Sequence, residues 1–407
     1  MSSPSSASAP AAFLVGGTRT PVGRYGGALS AVRPDDLAAL VIRKTVQAAG
    51  IDPAAVDEVV FGNTNGAGEE NRNVARMSWL LAGFPDTVPG MTVNRLCASG
   101  MSAIATGSQM IAAGDADLVL AGGVESMSRA PWVMAKPTTA FARPGEIADT
   151  SIGARFINPE HLKHEKRMIS MPETAEEVAE LDGIFREDAD AFALQSHQRA
   201  VAATEAGRLR REITPVDVPG RKGQVTTVDT DEGPRPNTSV EVLAKLRPVV
   251  SGGSVVTAGN ASSLNDGASA VLVASERAVE KFGLQARARV VARTNAGISP
   301  EIMGLGPVPA TERVLQRSGW SLDEIGAVEL NEAFASQSLA CIRRLGLDES
   351  VVNADGGAIA LGHPLGSSGS RIVLTLLRRM EDEGVDRGLA TMCVGMGQGA
   401  AMLLEKV

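Results

Sequence analysis

The sequence predicts an α/β protein made of two copies of one β/α unit, with a long insertion between them. Two observations carry this. Apolar strand-like runs alternate with helical patterns toward both ends of the chain, which implies largely parallel central strands covered by helices on both faces. A segment near the N-terminus also recurs near the C-terminus. Residues 47–61, QAAGIDPAAVDEVVF, align without gaps with residues 316–330, QRSGWSLDEIGAVEL. Each copy reads as a helix end, a Gly stop, a short helical turn and an apolar strand. The same offset lays CASG at 97–100 over GSSG at 366–369. After both, the chain runs into a helix and then a strand, DLVLAGG from 117 and LATMCVG from 389. Agreement of order and spacing at two distant places marks a duplication. Two such sheets packed together bring equivalent strand ends near one another, so loops from both halves can converge.

Residues 127–264 break the pattern. They are rich in charge and Pro and hold three of the four histidines. This stretch reads as an insertion or lid. The division that follows is an N-terminal half at 11–126 plus 265–284, an inserted loop domain at 127–264, and a C-terminal half at 285–407. Residues 1–10 read as a disordered tail. They carry neither the positive charge nor the apolar stretch of a targeting signal, and the final LLEKV is no peroxisomal tripeptide.

Composition narrows the function. The chain is 44% hydrophobic with 3% aromatics, so its cores are Ala, Val, Leu and Ile. A net charge of −8 argues against a nucleic-acid or anionic-membrane partner. No apolar run is long enough to span a bilayer. Three widely spaced cysteines cannot all pair, which points to free thiols, a reducing compartment and hence the cytoplasm.

The candidate reactive residues sit at the junctions of these units. Cys97, in VNRLCASG, precedes a helical rhythm of Met101, Ile104, Ala105, Ser108 and Ala112, with Gly114 as its stop. A thiol there feels the positive end of the helix dipole and free amide N–H groups, which favour the thiolate. A small buried core residue is the alternative. His363 lies in GGAIALGHPLGSSGS, where glycine density suits a backbone that comes close to a ligand; an ordinary turn with a buried histidine is the other reading. Cys393 lies in MCVGMGQGA after an apolar strand. It forms no CxxC pair, and the following glycines expose N–H groups able to hold an oxyanion. Asn331 ends the strand AVEL, either capping the next helix or holding a water. HLKH at 161–164 lacks the further ligands of a metal site. RLRR at 208–211 and GRKG at 220–223 are basic spots on an acidic chain, either plain surface or a phosphate-bearing ligand's contacts.

Taken together, VNRLCASGM, ELNEAF, GGAIALGHPLGSSGSR and CVGMGQGAA closely resemble the thiolase family. So do TRTPVGRYGGALS at 18–30, GGVESMSRAP at 122–131 and TAGNASSLNDGASA at 257–270. The resemblance spans residues 11–407. It implies two αβα halves stacked as five αβαβα layers, with a loop domain inserted in the first half that binds coenzyme A and joins dimers into a homotetramer. It implies that Cys97 is the acylated nucleophile, His363 the base that activates it and Cys393 a second acid/base. It also implies that Asn331, through a water and with His363, forms one oxyanion hole, and the N–H groups of Cys97 and Gly395 the other. Ser262 and Arg221 match residues near coenzyme A. Met303 and Phe334 match pocket residues by the pantetheine and acyl group.

The implied activity is thiolytic cleavage of 3-oxoacyl-CoA, or its reverse condensation, through an acyl-Cys97 intermediate. Acyl-CoA and coenzyme A are the partners, and no metal or other cofactor takes part. Ser263 and Met396 stand where many members have Gly, and neither change removes a reacting group. SMPET at 170–174 lacks a His-Met pair common in biosynthetic members, with Ser170 in the His position and Glu177 for a usual Asn. SMPET and GEENRNVARM at 68–77 resemble instead the branch that cleaves 3-oxoadipyl-CoA. Two rivals remain at this point: a decarboxylating ketoacyl-synthase-like enzyme, and a non-catalytic thiolase-like acyl-CoA-binding protein.

Overall fold

The structure, a computed structural model, describes residues 10–407, so the expected tail lies outside the described residues apart from Pro10. The N-terminal half contains β1 (Ala12–Arg19), α1 (Pro34–Ala49), β2 (Glu58–Gly62), α2 (Val74–Leu81), β3 (Gly90–Val93), α3 (Ser99–Ala113) and β4 (Leu118–Ser126). The intervening stretch contributes α4 (Met171–Asp182) and α5 (Arg186–Glu205), and β5 (Asn265–Ser275) follows it. The C-terminal half contains β6 (Ala288–Gly297), α6 (Pro307–Ser318), β7 (Ala327–Leu330), α7 (Ala335–Leu345), α8 (Leu365–Glu383), β8 (Arg387–Val394) and β9 (Gln398–Lys406).

Both copies of the repeat fold alike. Helix α1 stops on Gly50 at φ 66°, a single 3-10 turn follows at Pro53–Ala55, and β2 begins. Helix α6 stops on Gly319 at φ 73°, a 3-10 turn follows at Leu322–Glu324, and β7 begins. The left-handed cap accounts for glycine at both stops.

The strands run β3-β2-β4-β5-β1-β6-β9-β8-β7 across one ten-stranded sheet, whose remaining short strand, Gly23–Arg24, pairs with β5. Its two halves mirror one another about β1 and β6. They join only where Phe13 meets Arg289 and Leu14 meets Ala288. The sequence suggests two separate sheets; their edges are in fact stitched by these two residue pairs. The expectation of largely parallel strands also needs correcting. Only β2–β3, β2–β4 and β7–β8 are parallel among these strands. Strands β8 and β9 are joined by a three-residue hairpin, which forces them antiparallel. Strands β4 and β5 are antiparallel too, with the insertion between them in the chain.

Period-two alternation builds the layers. Val119, Ala121, Val271, Met392 and Met402 face a central core shared with Met101 and Ile104 of α3 and Ile372 and Leu376 of α8. Their neighbours Leu118, Leu120 and Leu272 face α1 and α2, while Leu389 and Leu403 face α6 and α7. The order is helices, half-sheet, α3 with α8, half-sheet, helices. Helix α3 is therefore buried well beyond the single stripe its sequence rhythm suggests.

The two central helices cross closely at their first turns. A methyl on Gly100 would lie 2.6 Å from Ser370 Oγ, and one on Gly369 would lie 2.3 Å from the Met101 nitrogen. The inserted helices pack on the opposite half. Helix α4 lies against α7 and residues 300–305, and α5 against α7 and the short helix Ala358–Leu361. A buried Arg19 pins the insertion to β1 through Glu212 at 2.6 Å and Asp231 at 2.7 Å. Among the described residues no helix is long and apolar enough to cross a membrane.

Candidate active site

Cys97 occupies the turn between β3 and α3. Leu96 before it takes φ 45°, a left-handed conformation held by three hydrogen bonds. Ser99 Oγ accepts from the Arg95 N–H at 2.9 Å and donates to the Leu96 carbonyl at 2.6 Å, and Asn94 Oδ1 accepts from the Leu96 N–H at 2.9 Å. No side chain caps α3, which begins two residues later. Cys97 is partly accessible, whereas Cys341 and Cys393 are buried, and all three are free thiols.

The helix start does not make Cys97 a thiolate. Burial pushes its thiol up to about 11, against the pull of the N–H groups of Gly395 and of Cys97 itself, and the Glu125 charge adds to the rise. Desolvation outweighs the dipole here, which corrects the expectation from sequence. Cys341 is pushed to about 12, chiefly by burial, and is fixed between Gln337 and the Gly304 carbonyl.

His363 lies between the Ala358–Leu361 turn and α8. Its N–H donates to Asn265 Oδ1 on β5 at 2.8 Å, so the other half of the molecule holds its backbone. Ser368 Oγ donates to the Pro364 carbonyl at 3.0 Å and lies 2.6 Å from His363 Nδ1. With its own hydrogen committed, that hydroxyl accepts from Nδ1–H, which leaves Nε2 unprotonated and able to accept. Asn331 Nδ2 sits 3.5 Å from Nε2. Burial, then the positive charge of Arg371, pushes His363 down to about 3, so the ring is neutral at physiological pH.

Asn331 directly follows β7 and is fully buried. Its backbone N–H donates to the Thr391 carbonyl at 3.0 Å, and its Oδ1 has no partner among the described residues. It does not cap α7, whose cap position is Phe334. Cys393 ends β8, next to the hairpin that presents Gly395. Burial first, then the nearby Cys97 and Cys341 sulfurs, raises its thiol well above the usual range. Cys393 packs in one apolar cluster with Ala175, Val256, Met303, Ala333 and Phe334, bordered by Met171 and Ala261. Met303 and Phe334 are thus brought to Cys393.

Ser262 flanks this cluster, donating its N–H to the Ala333 carbonyl at 2.9 Å. Arg221 is exposed at the turn joining Val216–Pro219 to Val225–Val228, and the side chains that meet around Cys97 do not include it. His161 and His164 are exposed at and just beyond the short helix Pro159–Leu162. The RLRR arginines are engaged by carboxylates: Arg208 by Asp355, Arg210 by Asp229 and Arg211 by Asp382. That favours the plain-surface reading of RLRR. The glycines around His363 serve packing within the protein. A methyl on Gly357 would lie 2.1 Å from the Glu332 carboxyl carbon, and one on Gly366 would lie 2.3 Å from the Val124 carbonyl.

Cys97 thus lies by Cys393 and the Gly395 N–H, and His363 by Asn331, while the helices that Cys97 and His363 precede cross at their first turns. The thiolase N-terminal domain model matches residues 12–277 and the C-terminal domain model matches residues 284–406. The chain belongs to the thiolase family. It is a thiolase-type acyltransferase. A beta-ketoadipyl-CoA thiolase of Pseudomonas aeruginosa is 56% identical over 97% of this chain and 99% of that protein. A 3-oxoadipyl-CoA/3-oxo-5,6-dehydrosuberyl-CoA thiolase of Escherichia coli is 52% identical over the same shares. Among solved structures, the Bacillus anthracis acetyl-CoA acetyltransferase superposes with TM-score 0.92 at 39% identity, covering 98% of this chain and 100% of that one. Human mitochondrial 3-ketoacyl-CoA thiolase in complex with CoA gives 0.91 at 40% identity, covering 98% and 99%.

Several residues of this thiolase site escape a reading of the sequence. Met171 counts there only as part of SMPET, yet its sulfur lies 3.8 Å from where a methyl on Gly395 would sit. Ser368 and Asn265 position His363 but look like ordinary small polar residues. Ser170 and Glu173 form a capping box at the start of α4, and Glu177 pairs with Lys166 at the surface. Met396 sits in the hairpin at φ 62°, the left-handed region that explains Gly in other members.

The pH dependence of Cys97 modification follows from the raised thiol. Iodoacetamide labels Cys97 ahead of Cys341 and Cys393 because it alone is accessible. The rate climbs about tenfold per pH unit from neutrality toward pH 10, as the thiolate fraction does below its pKa. Peptide mapping over that range checks both statements; a plateau near pH 7 means a resting thiolate–imidazolium pair.

Proposed function

We propose that this thiolase cleaves 3-oxoadipyl-CoA with coenzyme A, giving acetyl-CoA and succinyl-CoA by a ping-pong mechanism through an acyl-Cys97 intermediate. The pairing of Cys97 with Cys393 and of His363 with Asn331, ahead of two helices that cross at their first turns, is the observation that carries it. His363 Nε2 takes the Cys97 proton as sulfur attacks the C3 ketone. The tetrahedral alkoxide collapses, the C2–C3 bond breaks, and C2 takes the proton of the Cys393 thiol to leave as acetyl-CoA. The Cys393 thiolate then deprotonates the incoming coenzyme A, whose sulfur attacks the acyl-Cys97 thioester. Cys97 leaves as thiolate and recovers its proton from His363.

Each charge has a receiver. The N–H groups of Cys97 and Gly395 receive one oxyanion. Protonated His363 and a water on Asn331 receive the other, each good donor contributing roughly 3 kcal/mol. Thioester-for-thioester exchange keeps both directions accessible. Every step is acyl or proton transfer, so the scheme calls for no metal or redox cofactor; coenzyme A is substrate and product. Ser262, Arg221, Met303 and Phe334 are assigned to the coenzyme A and acyl contacts. Three free thiols support a cytoplasmic location.

We assign the chain as a homotetramer, a dimer of dimers. Two features support this. Strand β3 is a sheet edge, and Trp132, Phe141, Ile147, Phe156 and Leu162 expose large apolar surfaces within one arm of the insertion. Light scattering at micromolar concentration gives four times the chain mass if this is right, and a monomer mass contradicts it.

Substrate choice rests on SMPET and on the names of the relatives above. 3-Oxoadipyl-CoA exceeds 3-oxohexanoyl-CoA in kcat/KM, and since the two differ in the distal carboxylate, equal values remove the branch assignment but leave the thiolase chemistry.

The division of labour between the cysteines is the decisive experiment. Cys97→Ala abolishes acyl-enzyme formation and all turnover. Cys393→Ala still yields an acetyl adduct on Cys97 from acetyl-CoA, seen by intact mass. It loses exchange of acyl α-protons with deuterated solvent, and condensation and cleavage fall together by about 10²–10⁴. Wild-type exchange in Cys393→Ala assigns the base elsewhere.

A further inference from the structure

Glu125 is a buried ionisable group that the proposed chemistry does not use. It lies in β4 of the N-terminal half and is 2% exposed. Its Oε2 accepts from the Thr64 N–H at 3.0 Å, from Thr64 Oγ1 at 2.8 Å and from the Gly366 N–H at 2.9 Å. Thr64 belongs to its own half. Gly366 is in the first turn of α8 in the other half, three residues after His363.

The contacts continue on both sides. The Thr64 carbonyl accepts from Asn94 Nδ2 at 3.1 Å, and Asn94 Oδ1 accepts from the N–H of Leu96, the residue before Cys97. On the far side, the turn that carries Gly366 also carries Ser368, whose hydroxyl holds His363 Nδ1. An unbroken run of hydrogen bonds thus leads from the Cys97 turn through Asn94, Thr64 and Glu125 to the His363 loop.

We propose that Glu125 is a positioning residue that locks the Cys97 turn to the His363 loop across the two halves, acting through the acceptor oxygen that Thr64 and Gly366 share. The inference rests on the proposed roles of Cys97 and His363. A carboxylate suits the place. The N-terminus of α8 leaves N–H groups without helical partners and carries the positive end of the dipole, so a buried acceptor satisfies both. The site also tolerates a neutral acceptor. Burial raises the Glu125 carboxyl to about 7, against the Thr64 and Gly366 bonds, with Glu70 adding to the rise. Oε1 has only Asn63 Nδ2 at 3.5 Å, and Asn63 Oδ1 has no partner among the described residues. An amide in place of the carboxyl therefore keeps its oxygen on Thr64 and Gly366 and gives up only the long Asn63 contact, since Asn63 Nδ2 stays on the Val124 carbonyl at 3.0 Å.

That asymmetry separates positioning from direct acid–base work. Glu125→Ala removes the shared acceptor and lowers kcat about 100-fold, the effect of a roughly 1 Å misplacement of reacting groups, with KM for coenzyme A within about threefold. Glu125→Gln restores kcat to within about tenfold of the parent. Combining Glu125→Ala with His363→Ala costs little beyond His363→Ala alone, because the lock acts through His363. Gln as damaging as Ala, or fully additive losses, overturns the proposal. Should Glu125→Ala fail to fold, Asn94→Ala cuts the same run at an exposed position. It lowers kcat several-fold with Tm unchanged, and an unaltered kcat there overturns the proposal equally. His363→Ala by itself reports on the underlying roles: full activity in that variant removes the proposed base and leaves the Glu125 results to be read separately.

Discussion

The first turns of α3 and α8 meet where neither can carry a side chain. Gly100 approaches Ser370, and Gly369 approaches the Met101 backbone, closer than any added methyl allows. Cys97 lies just before one of these helices and His363 just before the other. Their encounter is thus set by the spacing of two helix axes, which a packed core on both sides holds fixed. Two helix N-termini side by side also bring two positive dipole ends together. Glu125 engages the one at Gly366.

The resting electrostatics follow from this enclosure. With its pKa near 11 the Cys97 thiol is neutral, and with its pKa near 3 so is the His363 ring. Neutral thiols are slow toward oxidants and alkylating agents, so under the proposed mechanism Cys97 is protected until substrate binds. In the proposed mechanism a bound thioester or ketone changes the balance because it offers the charge a better place. Negative charge leaves sulfur for an oxygen that the Gly395 and Cys97 N–H groups can receive, and positive charge appears on a ring whose Nδ1–H already has Ser368 as partner. Proton transfer and attack are then favourable together, although neither is favourable alone.

Much of this was legible in the residues. The repeat, its glycine caps and the strand-end placing of Asn331 and Cys393 follow from local chemistry that the fold does not override. Cys97, His363, Cys393 and Asn331 stand in the motifs that carry the family resemblance. What was not legible depends on distance through space. Strand direction between β4 and β5 is decided across the whole insertion. The state of Cys97 turned on burial that a helix-start argument cannot weigh. Asn265 and Glu125 act through atoms far away in sequence, Asn265 on a loop 98 residues on and Glu125 on one 241 residues on. The density of glycine around His363 was visible, but its cause was packing against Glu332 and Val124.

The duplication also shows how a symmetric frame yields an asymmetric centre. In the ungapped register of the repeat, Cys97 faces Gly366, Asn331 faces Gly62 and His363 faces Asn94. The register holds in three dimensions at the caps at Gly50 and Gly319 and at the starts of β4 and β8, although the helix Ala358–Leu361 stands where it would place β3. At each reactive position one half supplies chemistry and the other supplies clearance or a hydrogen bond. A methyl on Gly62 would strike the Ser99 carbonyl carbon at 2.3 Å, so an Asn there has no room. Gly366 leaves space for the Val124 carbonyl and gives its N–H to Glu125. Asn94, at the place where the other half has its histidine, braces the Leu96 turn. The pseudo-symmetry brings the two sets of positions together, and the differences between them allow one set to react while the other holds it in place.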